Sequence, residues 1–120
     1  MASLERKSFD SPDETRPFEG KGKAEVVEIG GQNVGRGTFE PGWRWSENVK
    51  PIAGTESCQV SHFGYGLSGR MKVFMDDGAE AEVGPGDVAA IPPGHDAEVV
   101  GDEPCVMIDF GEFGHYAKRT

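Results

Sequence analysis

Three things are scarce in this sequence of 120 residues: cysteines, long apolar runs and basic side chains. Its two cysteines, Cys58 and Cys105, are too few for a disulfide-stabilised scaffold, so we expect two free thiols. No apolar run comes near the ~20 residues that cross a bilayer as a helix. The 12 basic residues against 21 acidic ones give a net charge of −9, which would repel the phosphates of nucleic acid. We therefore expect neither a membrane nor a nucleic acid as a partner.

The first residues are polar and charged, without the apolar centre of a signal peptide, and we expect a cytoplasmic location. Residues 1–23 stay polar and rich in proline and glycine, which is typical of an arm that becomes ordered only against another surface. Phe9 and Phe18 would anchor this N-terminal arm on the body or on a second subunit. A single domain over residues 24–112 and a C-terminal tail over 113–120 complete the expected organisation.

Glycine and proline are, by contrast, abundant, with 18 and 8 residues, and they divide the chain every few positions. Such spacing is typical of turns between short strands and not of long helices. The pattern predicts strands at 24–29, 34–39, 57–63, 70–75, 80–83, 88–91, 97–100 and 105–110. We expect an irregular connection from Pro41 to Gly54 and no helix. Many short strands in one small domain indicate an all-β jelly roll or a similar closed barrel.

The most informative segment is PGDVAAIPPGHDA, which runs from Pro85 to Ala97. A turn at Gly86 leads into a short apolar strand. The two prolines before Gly94 end that strand, because proline cannot donate to a sheet. His95 follows at once, so we expect it near the rim of the barrel.

Two motifs make the chain resemble the cupin superfamily, whose members are small barrels of the double-stranded β-helix type. Gly86, Pro92 and Gly94 match the start of the second cupin signature, Gly-x5-Pro-x-Gly-x2-His-x3-Asn. The segment YGLSG at 65–69 matches the end of the first signature, Glu-x6-Gly. The resemblance covers residues 24–112 and implies a single-domain cupin, a jelly-roll β-barrel with an N-terminal arm. More narrowly, the chain is similar to small bacterial single-domain cupins with PGWRWSE, AGTESC and IPPGHDA segments.

A typical cupin metal site has three histidines and one glutamate, and the resemblance implies where each would stand. The glutamate position falls on His62, the two early histidine positions on Thr55 and Ser57, and the last histidine position on Ala97. The usual set of four ligands is therefore absent from this chain.

A different ligand set is available around the same positions. Alternate residues of a strand share a face, so Cys58 and His62 would point into the barrel together, with Val60 between them. His95 would reach the same interior from its turn, and Glu56 or a water would complete a zinc or iron site. The alternative is structural, with Cys58 as a core residue, His95 in a turn and Glu56 in solvent. The cofactor stays open between none and one divalent ion, zinc or iron.

A barrel without metal would still have a pocket at its mouth, a common place for a ligand. His62 would titrate near neutral pH and move protons, with His95, Tyr65 and Asp109 as candidates to orient it or to act as the partner acid. Asp109 stands out as a charge within the apolar strand CVMIDF. The candidate lining of a pocket for a small organic molecule comprises Trp43, Trp45, Cys58, Val60, Gly64, Gly66, Met71, Ala97 and Met107. Plain core packing is the alternative for the apolar side chains, and a β-bulge for the two glycines.

These observations leave two classes of function open. The first is an enzyme that acts on a small organic molecule. Its chemistry is either acid–base, of isomerase, dehydratase or cyclase type with His62 as main proton carrier, or metal-dependent and oxygenase-like with Cys58, His62 and His95. The second class is a non-catalytic ligand-binding or sensor cupin. The resemblance also implies a homodimer, in which the N-terminal arm would cover a sheet edge of the partner. His115 would belong to a lid over the mouth or to a disordered tail.

Overall fold

The computed structural model describes residues 3–111, 114 and 116–118. Its elements are β1 Glu14–Pro17, β2 Gly22–Ile29, β3 Gln32–Phe39, α1 Trp45–Asn48, α2 Lys50–Ala53, β4 His62–Ser68, β5 Arg70–Met75, β6 Glu80–Val83, β7 Val88–Ile91, β8 His95–Val100 and β9 Cys105–Asp109. They form two antiparallel sheets, one in the order β1-β2-β3-β9-β4-β7 and one in the order β6-β5-β8. The predicted all-β jelly roll is confirmed.

One core lies between the inner faces of the two sheets. It contains Val26 from the six-stranded sheet together with Val73 and Val99 from the three-stranded sheet. The members that strands contribute come from alternate positions, because every second side chain of a strand faces the same side. Within the described part of the chain, no helix has the length and hydropathy of a membrane span.

The predicted strand at 57–63 is wrong, because the strand begins at His62 and continues to Ser68. The preceding residues form only an isolated bridge, between Cys58 and His95. The sequence of β4 contains two glycines, which are poor strand formers, and for this reason the sequence pattern does not predict the strand. The strand forms nevertheless because β7 and β9 pair with it on its two sides.

The connection after β3 contains two helical turns, α1 and α2, where the sequence predicts none. Each is four residues long, too short to show a helical period in the sequence. Burial of the apolar side chains accounts for them, since Trp45 and Val49 are fully buried in the core. Gly54 ends α2 with a φ of 76°, a left-handed conformation that glycine adopts without strain.

The N-terminal arm contributes a strand to the domain, because β1 pairs with β2 of the same chain. Phe18 follows this strand into the core, where its ring stacks on that of Phe39 at a centroid distance of 5.4 Å. Arg16 of β1 is also buried. Its guanidinium donates to the backbone carbonyls of Tyr116 at 2.9 Å and Gly114 at 3.0 Å. The first strand thus holds the C-terminal segment in place.

The outer face of β4 is apolar and exposed, with Phe63, Tyr65 and Leu67 at alternate positions. Val88 of β7, opposite Tyr65, and Phe110 extend it. The homodimer implied by the resemblance stays a prediction, and the mass of the protein in solution tests it.

Candidate functional site

A cavity lies between the two sheets, and the loop that carries the two tryptophans closes part of it. The Trp43 carbonyl accepts a hydrogen bond from the Val99 backbone N–H at 3.0 Å, which attaches this loop to β8. The cavity has a volume of about 60 Å³ open to the centres of water molecules. Of the predicted lining, it contains Trp43, Trp45, Gly64, Met71, Ala97 and Met107, and it adds Gly37, Phe39, Val73, Ala89, Ile91, Ile108 and Tyr116.

Three predicted lining residues, Cys58, Val60 and Gly66, do not line this cavity. Val60 packs against the core instead. A side-chain carbon at Gly66 would lie 2.3 Å from the carbonyl oxygen of Gly84, so glycine allows a close approach of two backbones there. The pairing of β4 with β9 is irregular between Gly66 and Ser68, which agrees with the alternative of a bulge.

Cys58, His62 and His95 meet beside the cavity. One potential ligand atom from each lies within 4.8 Å of the others. The distance from Cys58 Sγ to His62 Nε2 is 3.7 Å. The Cys58 backbone N–H donates to the His95 carbonyl at 2.7 Å, so the isolated bridge sets these two residues opposite each other. The structure therefore brings together the three residues of the alternative ligand set.

Both imidazoles are held through the same ring atom. His62 Nδ1 forms a short hydrogen bond with Asp109, and His95 Nδ1 donates to the carbonyl of Pro92 at 2.9 Å. A carbonyl or carboxylate oxygen can only accept, so each Nδ1 carries a proton and each Nε2 remains available to a ligand. This tautomer follows from the hydrogen-bond partners.

Asp109 is buried within β9 and accepts hydrogen bonds with both of its oxygens. Oδ2 faces His62, while Oδ1 accepts from the backbone N–H groups of Phe63 at 3.2 Å and Gly111 at 2.8 Å. The two backbone donors fix the carboxylate, and the carboxylate in turn fixes the ring of His62. This explains the charge that the sequence places in an apolar strand.

Neighbouring groups shift the pKa values of His62 and Cys58 in opposite directions. Burial disfavours the charged form of His62, but hydrogen bonds and charges from Asp109 and Cys58 outweigh it and raise the pKa of His62 to about 9. Burial also disfavours the Cys58 thiolate, yet His62 and His95 lower the pKa of Cys58 to about 7. Between about pH 7 and pH 9, a metal-free site therefore pairs a Cys58 thiolate with a positively charged His62 imidazolium.

The ionisation of Cys58 is directly measurable. We expect the far-ultraviolet thiolate absorption of the metal-free protein to rise as the pH increases through about 7. The Cys58→Ser variant should lack this step. The Cys105→Ser variant should keep it, because burial raises the pKa of Cys105 to about 11. A step near neutral pH in the Cys58→Ser variant would contradict the assignment.

Two residues of the predicted site lie elsewhere. Tyr65 is exposed on the outer face of β4, because His62 and Gly64 face the cavity and alternate residues point outward. Glu56 lies on the surface, where its carboxylate accepts a hydrogen bond from Lys50 at 3.0 Å. Since the strand begins only at His62, its alternation does not extend back to Glu56.

Tyr116 belongs to the site, although the sequence offers no pattern that would place it there. Its ring is buried and lies edge-on to the imidazole of His62, at a centroid distance of 5.2 Å. Arg16, 100 residues earlier in the chain, donates to the Tyr116 carbonyl and helps to hold this ring in place. His115, the predicted lid residue, lies outside the described residues.

These features, a jelly roll with an inward-facing cluster of histidines and cysteine, define a small-barrel protein with a polar site in an apolar cavity. The family model of the cupin domain matches residues 48–111. The chain belongs to the cupin family, as the two sequence motifs predict. A search of curated proteins finds no match.

Solved structures show the same fold at low sequence identity. The polyketide cyclase RemF from Streptomyces resistomycificus is 18% identical, with a TM-score of 0.62 over 89% of this chain and 78% of that chain. A cupin-superfamily sugar phosphate isomerase from Silicibacter pomeroyi is 22% identical, with a TM-score of 0.60 over 88% and 73%. Bacillus subtilis oxalate decarboxylase, studied for its Mn(II) centers, is 27% identical, with a TM-score of 0.52 over 84% of this chain but only 28% of its own.

Proposed function

We propose that this chain is a metal-dependent cupin enzyme that holds one divalent transition ion with Cys58, His62 and His95. It would act on a small organic molecule in the adjacent cavity. The observation that carries the proposal is the orientation of the cluster. The Nδ1 atoms of both imidazoles are engaged by oxygen acceptors, which leaves their Nε2 atoms and the Cys58 sulfur as ligands.

The donor set fits zinc or iron. Bonds of ~2.3 Å to sulfur and ~2.0–2.1 Å to nitrogen in a tetrahedral site put the two donor atoms about 3.6 Å apart. Cys58 Sγ and His62 Nε2 are separated by 3.7 Å. Imidazole and thiolate are ligands that these ions prefer, and three protein ligands leave a position open to water or substrate.

The surrounding residues would orient the ligands and exclude water. Asp109 and the Pro92 carbonyl hold the two imidazoles in the required tautomer, which is the usual arrangement behind metal-bound histidines. When bound, the ion would polarise a substrate oxygen or activate a water. The apolar lining would keep bulk water out and so strengthen the electrostatic interactions inside the cavity.

Elemental analysis of the purified full-length chain tests the proposal. We expect about one zinc or iron ion per chain, removable by a chelator and restored when the ion is added back. A chain that is purified without metal and takes up neither ion on addition would contradict the proposal.

The pairing of His62 with Asp109 favours a second candidate, metal-free acid–base catalysis. Because the pKa of His62 is raised to about 9, its imidazole would be protonated on both nitrogens at neutral pH. It could then donate one proton as a general acid. Such chemistry suits an isomerase, dehydratase or cyclase, and a polyketide cyclase and a sugar phosphate isomerase are among the similar structures. A chain that binds no metal, but loses its turnover in a correctly folded His62→Ala variant, would favour this candidate.

A further inference from the structure

Three aliphatic side chains face the interior of the barrel without being buried there. Ala81 of β6 stands opposite Val73, and side chains opposite each other in a sheet share a face. Val73 is 4% exposed in the core, whereas Ala81 is exposed. Ile91 of β7 stands opposite the inward-facing His62 and is only half-buried, and so is Ala89 on the same face of β7. Apolar side chains of a closed core are buried, so these three border an open space.

The open space is a cleft between the edges of the two sheets. β6 is the last strand of one sheet and β7 the last strand of the other. At the far edge of the smaller sheet, the loop that carries the tryptophans is attached to β8, but no described strand pairs with the free sides of β6 and β7. The cleft has a volume of about 460 Å³ open to the centres of water molecules, against about 60 Å³ for the cavity. It is therefore the larger of the two spaces.

The cleft adjoins the cavity of the candidate site. Val73, Ala89 and Ile91 line both spaces. Val73 comes from β5 and the other two residues come from β7, so side chains of two facing sheets, and no described strand, form the wall between the spaces. Ile91 stands directly opposite His62. The cleft therefore begins next to a ligand of the proposed metal site.

The cavity and the cleft differ in the groups that they offer. At the cavity, His62, His95 and the proposed ion would bind an oxygen-bearing head group, neutral or anionic. The inward-facing side chains of the cleft, among those that the structure describes, are all apolar: Val73, Met75, Ala81, Val83, Ala89 and Ile91. Such a wall favours a hydrocarbon tail.

Three carboxylates stand at the rim of the cleft, those of Glu80, Glu82 and Asp87. The Glu80 carboxylate lies 3.1 Å from the ammonium group of Lys72. The Glu82 carboxylate lies 3.6 Å from the guanidinium group of Arg70. Asp87 accepts a backbone N–H at 2.8 Å. Because each carboxylate already has a partner, the rim does not require a cationic ligand, and its charge opposes an anionic group on the tail.

We propose, building on the proposed function, that the substrate is an amphiphile whose oxygen-bearing head binds at the cluster of cysteine and histidines and whose apolar tail lies in the cleft. Val73, Ala89 and Ile91 form the neck between the two spaces. The small side chain of Ala89 leaves this neck passable, so Ala89 determines how long a tail the site accepts.

A series of straight-chain alcohols tests the cleft without requiring a metal ion. The probes are 1-butanol, 1-hexanol and 1-octanol, added to the metal-free, full-length chain. Nuclear magnetic resonance follows the backbone amide signals of residues 79–83 and 88–91, which form the two sides of the cleft. We expect 1-octanol to move these signals, and the affinity to rise by about twofold to fourfold for each added CH₂ group.

A leucine at the neck should remove this dependence on length. In the Ala89→Leu variant, we expect little or no gain in affinity beyond 1-butanol. The Ala90→Leu variant is the matched control, because Ala90 stands opposite the outward-facing Phe63 and its side chain points away from the neck. The Ala81→Leu variant narrows the cleft from β6 at an exposed position, which tests the same effect if Ala89→Leu does not fold.

Three results would overturn the proposal: affinities in the wild-type chain that do not rise with length, amide signals of the cleft unmoved by 1-octanol, or the wild-type gain in folded Ala89→Leu and Ala81→Leu variants. Cleft signals that change with protein concentration but not with alcohol would show that a second copy fills the cleft, which also overturns it.

The zinc-loaded chain separates this proposal from the proposed function. Octanoate should exceed butanoate in affinity there by the same factor for each CH₂ group. A chain that takes up no metal but prefers longer alcohols overturns the metal-dependent function and leaves the tail site standing. A chain that binds zinc stoichiometrically but treats 1-butanol and 1-octanol alike in its metal-free form overturns the tail site alone.

Discussion

The Cys58→Ser variant is expected to lose metal binding, whereas the Cys105→Ser variant keeps it. Both cysteines are free and 1% exposed, so the two variants are matched in burial and in the size of the change. Only Cys58 lies within ligand distance of the two histidines. A serine hydroxyl stays protonated at neutral pH and is a much weaker ligand than a thiolate.

We expect the affinity of the Cys58→Ser variant for zinc to fall by at least about 100-fold. Loss of a residue that only hydrogen-bonds to a metal ligand already costs up to about 100-fold, and loss of a ligand should cost at least as much. Elemental analysis after dialysis against buffers of fixed free zinc measures the change. Thermal unfolding of the metal-free variants checks that both still fold. Equal metal content in the two variants, whether retained or lost, would contradict the assignment of Cys58 as a ligand.

The Asp109→Asn variant is expected to weaken metal binding by about 10–100-fold although Asp109 is not a ligand. Asparagine must keep its oxygen on the backbone donors of Phe63 and Gly111, which turns its amide N–H₂ toward His62. Nδ1 of His62 then has to accept, the proton moves to Nε2, and the ring can no longer bind the ion through that atom.

A second aspartate provides the control for this change. Asp87 also accepts a backbone N–H, from Gly84 at 2.8 Å, but it lies in an exposed turn outside the cluster. The Asp87→Asn variant should bind zinc as the wild type does. Wild-type affinity in a folded Asp109→Asn variant would show that the carboxylate does not set the tautomer of His62.

Turn-forming residues and proline allowed the first and last residues of some strands to be predicted from the sequence. The strands at 80–83 and 88–91 form where the sequence predicts them, because turns at Asp77-Gly78 and Gly86-Asp87 and the proline at Pro92 delimit them. β4 was missed, since pairing with two neighbouring strands overrides the low strand propensity of its glycines. Strand pairing of this kind depends on the whole sheet and leaves little trace in one segment.

The cluster was predictable only where strand alternation and the family signatures indicated it. Alternation along a predicted strand pointed Cys58 and His62 inward, and the turn after the two prolines put His95 near the rim. The strand begins only at His62, so it is the bridge to His95 that places Cys58 in the cluster. The signature register assigned early ligand positions to Thr55 and Ser57, yet Thr55 is exposed and the Ser57 hydroxyl donates to Asp76 at 2.7 Å. The charge of Asp109 within an apolar strand marked it as a candidate to orient His62, and the two side chains do form a hydrogen bond. The place of Tyr116 depends on a contact between distant segments, which no local pattern encodes.

The attachment of Tyr116 to Arg16 has a consequence for how the protein matures. A ribosome makes Arg16 early and reaches its carbonyl partner 100 residues later. The wall over the His62 imidazole can therefore close only after nearly all of the barrel has emerged. We therefore expect a chain that still lacks its last residues to leave the His62 imidazole uncovered on the side that Tyr116 otherwise occupies.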